Sequence, residues 1–205
     1  MKKELNKRSV VILALSLCIF FMGNTMVLAQ SSSFRNSIYN LGILKPFDSF
    51  LKVKVGETAP QFTLPSVGGK KIGLEEYRNK KIVVLSFVPA AWTPVCSDQW
   101  PGYNIVEELF KEHDATLLGI TVDNIPTLFS WTQQMGDLWF PVLSDFWPHG
   151  AVADSFGLLR SDGVAERALV VIDKKGVIRY IGVGDINIRP SLEILIGELQ
   201  KIEHR

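Results

Sequence analysis

The chain has 205 residues, of which 47% are hydrophobic and 21% are charged. This length and hydrophobic content suit one globular domain with a sizeable core, and the lack of long charge runs argues against bulk disorder. The formal net charge is +1, but residues 1–29 hold four cations and one acid, a net of +3, so the remainder carries 1 − 3 = −2. A slightly acidic body gives no electrostatic footprint for nucleic acid.

The first 29 residues have the order of an export signal. MKKELNKR is a basic segment, SVVILALSLCIFF is an apolar run, and MVLA ends in a small-residue cleavage pattern, Val27-Leu28-Ala29 before Gln30. This order predicts an exported, extracytoplasmic protein, periplasmic or secreted. Residues 9–29 are also just long enough to span a bilayer, so retention as a membrane anchor stays open beside cleavage.

The next residues lead into the predicted domain. Residues 30–52 mix polar and apolar types without a clean period, which predicts a linker, and the globular domain is expected over residues 53–205. FTLPSVGGKKIGLEEYRNKK predicts two short strands around a Gly-Gly turn, followed by a short helix or turn. KIVVLSFVP is a nearly continuous apolar run rich in β-branched residues, as expected of a central strand buried on both faces.

A helical region is predicted from Thr93 to about His113. Pro101 and Gly102 fall within it, and a proline there loses a backbone hydrogen bond and clashes with the previous turn. We therefore expect a kink or break, with a second helical segment resuming at Tyr103.

The remaining segments alternate between strand and helix patterns. In chain order they are ATLLGITVD (strand), IPTLFSWTQQMG (helix), FPVLSD (strand), HGAVADSFGL (helix), RALVVIDKKGVIRYIG (hairpin) and RPSLEILIGELQKIEHR (helix). This order predicts an α/β protein with a thioredoxin-like fold, in which a mixed central sheet is flanked by helices on both faces.

Cys96 is the main candidate for chemistry. The only other cysteine, Cys18, lies in the export segment, so Cys96 is expected to be a lone thiol in a compartment where cysteines usually pair. Thr93 is a favoured N-cap and Pro94 a favoured first helical residue, which places Cys96 in the first helical turn. The unpaired N–H groups and the positive helix end there favour the thiolate, which is the nucleophile. An inert, buried cysteine is the alternative.

A single activated thiolate restricts the chemistry. One thiol cannot shuttle a disulfide within its own chain, but it can attack a peroxide O–O bond and become a sulfenic acid. That attack develops negative charge on the leaving oxygen, so it benefits from a hydroxyl donor and from the permanent charge of an arginine.

PAAWTPVC fits the pattern P-x-x-x-T-x-x-C and resembles the active-site motif of peroxiredoxins, the alkyl hydroperoxide reductase and thiol-specific antioxidant group. GETAPQFTL, LSDFWPHGAVADSFGL and GVAERALVVIDKKGVI resemble further segments of that family, the second one those of one-cysteine bacterial members, and the resemblance covers about residues 55–202. It implies four roles: peroxidatic nucleophile for Cys96, hydrogen bonding to thiolate and peroxide for Thr93, stabilisation of the thiolate and developing oxyanion for Arg167, and shielding from water for Pro89.

One position departs from the family pattern. Many members have a glutamate three residues after the cysteine, where this chain has Gln99, and the change removes a charge. Arg160 is a second, weaker candidate for the cationic role, and His149 is expected to be structural. The sequence has no metal-ligand spacing, and no metal, flavin or haem is implied.

The sequence therefore predicts a peroxidase that reduces hydrogen peroxide or organic hydroperoxides through a Cys96 sulfenic acid. An external thiol, either a thioredoxin-like protein or a small thiol, is expected to recycle the cysteine. Two alternatives stay open on the same fold: a membrane-tethered thiol–disulfide oxidoreductase, and a non-catalytic peroxide sensor or binding module. Thr93 in place of a cysteine, and the presence of Arg167, count against the oxidoreductase. A membrane tether through residues 9–29 and a homodimer are also left open.

Overall fold

The computed structural model describes residues 33–203. A boundary between two compact units falls after Ile38, and of the first unit the structure describes a short helical turn at residues 33–36. The predicted export segment lies outside the described residues. Of the helices that are described, none is long and apolar enough to cross a bilayer.

The second unit, described over residues 39–203, alternates strands and helices as the sequence predicts. The strands are β1 (Thr63–Pro65), β2 (Lys71–Gly73), β3 (Ile82–Phe87), β4 (Ala115–Thr121), β5 (Val142–Ser144), β6 (Ala168–Ile172) and β7 (Ile178–Val183). The α-helices are α1 (Pro94–Gly102), α2 (Glu107–Glu112), α3 (Ile125–Met135), α4 (Ala151–Phe156) and α5 (Leu192–Glu203). Short 3-10 helices occupy Leu74–Tyr77 and Tyr103–Val106.

A five-stranded mixed sheet forms the centre, in the spatial order β5-β4-β3-β6-β7. Strands β3, β4 and β5 run parallel, whereas β6 is antiparallel to both β3 and β7. Strands β1 and β2 form a separate antiparallel pair around the Gly-Gly turn. The mixed sheet and its flanking helices confirm the predicted thioredoxin-like α/β fold.

Strand β3 occupies the middle of the sheet, and its sequence explains why. All six of its residues are buried, and a nearly continuous apolar run rich in β-branched residues is typical of a central strand that is buried on both faces. Parallel neighbours place the carboxyl ends of β3 and β4 at the same edge of the sheet, where sites collect in open α/β folds. The loop that leads to the helix of Cys96 leaves the sheet at this edge.

Helix α1 ends where the sequence predicts a break. Pro101 lies in its last turn, the helix stops at Gly102, and a 3-10 turn from Tyr103 to Val106 precedes helix α2. Because proline cannot donate to the preceding turn, the chain tightens into 3-10 geometry before the α-helical bonds resume.

Residues 39–50 fall within the predicted linker, and we call them the strap. They form hydrogen bonds with distant parts of the second unit. The backbone N–H of Leu44 donates to Asn187 Oδ1 at 2.9 Å, and Asn187 Nδ2 donates to the Leu44 carbonyl at 2.9 Å. Farther along, the backbone N–H of Asp48 donates to Glu166 Oε1 at 2.6 Å. The strap therefore lies across residues that come much later in the chain.

Candidate active site

The loop between β3 and α1 is held by the neighbouring strand. Just beyond β4, the Asp123 carboxylate accepts the backbone N–H of Ala91 at 2.8 Å and the Thr121 hydroxyl at 2.6 Å. Trp92 then adopts a φ of 60°, in the left-handed region that bulky residues rarely occupy. Its carbonyl accepts the backbone N–H of Tyr39, the first strap residue, at 2.8 Å. Contacts with β4 and with the strap thus fix the loop.

Cys96 lies in the first turn of α1, as predicted. Thr93 is the N-cap with extended backbone angles, and Pro94 is the first helical residue. Cys96 is fully buried. Its backbone N–H belongs to the first turn, whose N–H groups have no partner within the helix, so the positive end of the helix dipole faces the thiol.

Arg167 meets the cysteine, although 71 residues separate the two in sequence. The residue lies just before β6, and its Nη2 donates to Cys96 Sγ at 3.4 Å. Its Nε and Nη2 also donate to the Ile186 carbonyl, at 3.1 and 2.9 Å, which fixes the plane of the guanidinium. The structure thus brings together the predicted nucleophile and the predicted cation.

Gln99 is the other side-chain partner of this arginine. Its Oε1 accepts a hydrogen bond from Arg167 Nη1, and its Nε2 donates to the Tyr103 hydroxyl at 2.8 Å and to Ser86 Oγ at 3.3 Å. Three residues separate Gln99 from Cys96, so both side chains lie on one face of α1. The sequence shows that Gln99 departs from the family pattern, but it did not predict the contact of Gln99 with Arg167. Helical spacing was the available signal.

The charge balance of the site follows from these contacts. Arg167 is only 2% exposed. Among the described residues no ion pair links it to a carboxylate, and its hydrogen-bond partners are an amide, a carbonyl and a sulfur. A buried guanidinium without an anion is costly. The Cys96 sulfur is therefore the side-chain atom beside this uncompensated charge that can carry a negative charge.

Tyr103 shares the buried network of Gln99. Burial raises the pKa of the Tyr103 phenol above its usual value, and hydrogen bonds with Ser86 and Gln99 offset part of that rise. The hydroxyl of Ser86 also accepts Trp100 Nε1 at 3.2 Å. These contacts connect α1 and the following turn to the middle of β3.

The Thr93 hydroxyl bonds to the preceding loop in this structure. Thr93 occupies the N-cap position, its side chain makes no capping hydrogen bond, and its hydroxyl donates to the Ala90 carbonyl at 2.9 Å. Donation to a thiolate or a peroxide requires this hydroxyl to turn away from Ala90. The half-buried side chain nevertheless faces the cavity beside the cysteine.

Pro89 is buried directly after β3 and borders a cavity of about 310 Å³. Thr93, Arg167 and the strap residues 40–44 border the same cavity. Cys96 itself has no exposed surface. The cavity, which is bordered by its neighbour Val95 and its partner Arg167, is therefore the route by which a small molecule would approach the sulfur. Three of the four predicted site residues, Pro89, Thr93 and Arg167, thus border one cavity, and the fourth, Cys96, lies behind its wall in contact with Arg167.

Two secondary candidates have structural partners instead. Arg160 Nη1 pairs with the buried Glu166 at 3.0 Å, and Arg160 Nη2 donates to the Lys45 carbonyl of the strap at 3.0 Å. The weaker candidate for the cationic role therefore anchors the strap, and Arg167 contacts the sulfur. His149 lies against the Gly163 carbonyl at 2.7 Å, in keeping with a structural residue.

Comparison with known proteins agrees with this geometry. The model of the AhpC/TSA family matches residues 55–181. Alkyl hydroperoxide reductase E of Mycobacterium tuberculosis is 39% identical over 129 residues, covering 62% of this chain and 84% of that protein. A chloroplastic 2-cysteine peroxiredoxin of Chattonella marina var. antiqua is 32% identical over 163 residues, covering 75% of this chain and 83% of that protein.

A solved structure adds the same likeness in three dimensions. The reduced 2-Cys peroxiredoxin of Plasmodium vivax superposes with a TM-score of 0.68 at 27% sequence identity. The match covers 73% of this chain and 82% of that one.

Proposed function

Because this chain belongs to the AhpC/TSA family and is a peroxiredoxin-type thiol peroxidase, we propose that Cys96 is its peroxidatic nucleophile. The observation that carries the proposal is the contact of Arg167 Nη2 with Cys96 Sγ at 3.4 Å, in a site where no carboxylate of the described residues pairs with that arginine. A thiolate stabilised in this way is the reactive form of a cysteine.

In the first step the thiolate attacks one oxygen of the hydroperoxide. An S–O bond forms as the O–O bond breaks, sulfur is oxidised to a sulfenic acid, and the peroxide is reduced to an alkoxide or hydroxide. Arg167 faces the developing negative charge, and a proton from water in the open cavity completes the alcohol or water product. Thr93 borders the reacting atoms and Pro89 limits the access of water.

In the second step an external thiol reduces the sulfenic acid. Its sulfur attacks Cys96 to form a mixed disulfide and release water, and a second thiol then cleaves that disulfide and regenerates the Cys96 thiol. The proposal requires two thiols for each peroxide. It follows from Cys96 being the sole cysteine of residues 33–203, which leaves the described domain without a resolving thiol.

The test is stopped-flow tryptophan fluorescence of the reduced full-length chain mixed with hydrogen peroxide or cumene hydroperoxide. Cys96→Ser is expected to abolish the signal, and Arg167→Ala to slow it by about 10²-fold, the scale of losing a donor to a developing oxyanion. Arg179→Ala is the matched control, because Arg179 pairs with Asp173 and does not contact the site.

Chemical trapping distinguishes the product. A dione reagent that captures sulfenic acids should label the oxidised wild type at Cys96, and an added small thiol should restore the free thiol and support continuous turnover. A wild type that both peroxides oxidise no faster than a free thiol would contradict the proposed function. Fast oxidation without turnover on added protein or small thiols would support a sensor instead.

A further inference from the structure

The residues that border the cavity beside Cys96 are of two chemical kinds. Arg167 is the one charged residue among them, and Thr93, Asn40 and Asn187 are polar. The strap contributes the apolar residues Leu41, Ile43 and Leu44. An organic hydroperoxide also combines two chemical kinds of group, because its O–O group is polar and its substituent is apolar.

The opposite wall is also apolar. Pro94 and Val95 border the cavity from the first turn of α1, and Ile186 borders it from the loop after β7. Hydrogen peroxide has no apolar group to cover these walls, whereas the apolar substituent of an organic hydroperoxide can cover them and remove them from water.

The strap is fastened to the loop that orients the catalytic arginine. The carbonyl of Ile186 accepts two hydrogen bonds from Arg167, and its N–H donates to the Pro46 carbonyl of the strap at 3.3 Å. The next residue, Asn187, binds Leu44 through both its amide oxygen and its amide nitrogen. The wall therefore has a fixed position relative to the guanidinium.

The strap lies outside the residues that the family model matches. The AhpC/TSA match begins at residue 55, whereas the cavity wall comes from residues 40–44. The family match therefore assigns no role to this wall.

We propose that residues 40–44 of the strap form the binding wall for the apolar substituent of an organic hydroperoxide, and so select such peroxides over hydrogen peroxide. This inference rests on the proposed function. The O–O group lies at the cavity wall formed by Arg167, next to the Cys96 sulfur that this arginine contacts, and the substituent extends along Leu41 and Leu44. Sulfur takes the terminal oxygen, and the substituted oxygen leaves as an alkoxide that water protonates.

The test compares two second-order rate constants for oxidation of the reduced full-length chain, one with cumene hydroperoxide and one with hydrogen peroxide. Leu41→Ser and Leu44→Ala are expected to lower the ratio of the first constant to the second by about 10-fold, the scale of losing apolar contact in a pocket. Asn187→Ala, which removes the side-chain clamp on the strap, should lower the ratio in the same direction.

The matched control is Phe47→Ser. Phe47 is an exposed, apolar strap residue that does not border the cavity, so its variant should keep the wild-type ratio. Circular dichroism of each variant establishes that a changed ratio belongs to a folded protein.

The outcomes separate this inference from the proposed function. A wild type that reacts rapidly with both peroxides, with a ratio that the strap variants leave unchanged, overturns the strap assignment and leaves the peroxidase intact. An equal fall of both constants in the variants also overturns it, because the strap would then act on the cysteine and not on the substituent. A wild type that neither peroxide oxidises rapidly overturns both.

Discussion

Gln99 sets the charge of the site at the scale of a single residue. Its amide oxygen accepts from Arg167, and its amide nitrogen is held by Tyr103 and Ser86, so it orients the guanidinium without neutralising it. A carboxylate in the same place would form an ion pair with Arg167, and charge-assisted bonds of that kind are about twice as strong as neutral ones. The thiolate would then share the guanidinium with a second anion.

We therefore expect Gln99→Glu to slow the oxidation of Cys96. The loss should be about 10-fold, because the ion pair weakens the contact of the guanidinium with the sulfur and with the developing oxyanion. Rapid-mixing kinetics at pH 6 measure the effect. Gln133→Glu makes the same chemical change on the exposed face of α3 and should react as the wild type does. Equal rates for Gln99→Glu and wild type at pH 6 would show that the charge at position 99 does not affect the oxidation of Cys96.

At the scale of secondary-structure elements, helix α1 is positioned by the packing of Trp100 on strand β4. Trp100 is fully buried, and its ring lies so close to Gly119 that a Cβ there would come within 2.8 Å of it. The ring also contacts Trp131 of α3, with centroids 5.1 Å apart. A small residue in β4 thus allows the helix that carries the cysteine to lie close to the sheet.

Gly119→Ala is expected to destabilise the fold by about 1–3 kcal/mol, the cost of adding a methyl group to a well-packed core. Urea unfolding monitored by circular dichroism gives the value. Gly197→Ala in α5 is the control, because a Cβ at that position meets nothing within 4 Å and alanine is the better helix former by about 1 kcal/mol. A stability at or above that of wild type for Gly119→Ala would show that Trp100 can move away at no cost.

At the scale of the whole molecule, a buried tyrosine makes the free energy of unfolding depend on pH in alkaline solution. Burial raises the pKa of the Tyr103 phenol above the ordinary value of 10.0. The folded state therefore holds its proton where the unfolded chain has lost it, and stability is full below pH 10 and declines as the pH rises through the raised pKa. Tyr77 and Tyr180 shift in the same direction and add to that decline.

Tyr103→Phe should make the free energy of unfolding less dependent on pH above about 10, because phenylalanine has no proton to hold. Its absolute stability at pH 7 is expected to be lower, since Gln99 Nε2 loses one acceptor. Urea titrations at several pH values between 7 and 11 give the slope. Tyr39→Phe, at an exposed side chain, keeps the wild-type slope. An unchanged slope in Tyr103→Phe would show that the loss of stability above pH 10 comes from groups other than Tyr103.

Local patterns were sufficient to predict much of this architecture. The nearly continuous apolar run of β3, the Thr93-Pro94 helix start and the break after Pro101 each depend on the conformational preferences of neighbouring residues. The partnership of Cys96 and Arg167 is different, since no periodicity relates residues so far apart. Only the resemblance to a family supplied it.

Contacts between distant residues explain what the sequence did not predict. The strap bonds of Leu44 and Asp48 span 143 and 118 residues, and the mixed composition of residues 39–50 has no period that announces them. The hydroxyl of Thr93 had two local options, the end of the helix or the preceding loop, and it donates to Ala90. Competition between such options is decided by the folded loop and not by residue type.

The family model does not match all the residues that surround Cys96. Residues 55–181 include Cys96 and Arg167 but neither the strap nor Ile186 and Asn187. A graft of those residues alone into a relative would transfer the reacting atoms and leave behind both the carbonyl that aligns the guanidinium and the wall beside it. A chimera that tests the proposed role of the strap should therefore carry at least residues 39–187, because the strap and the Ile186 carbonyl lie outside the residues that the family model matches.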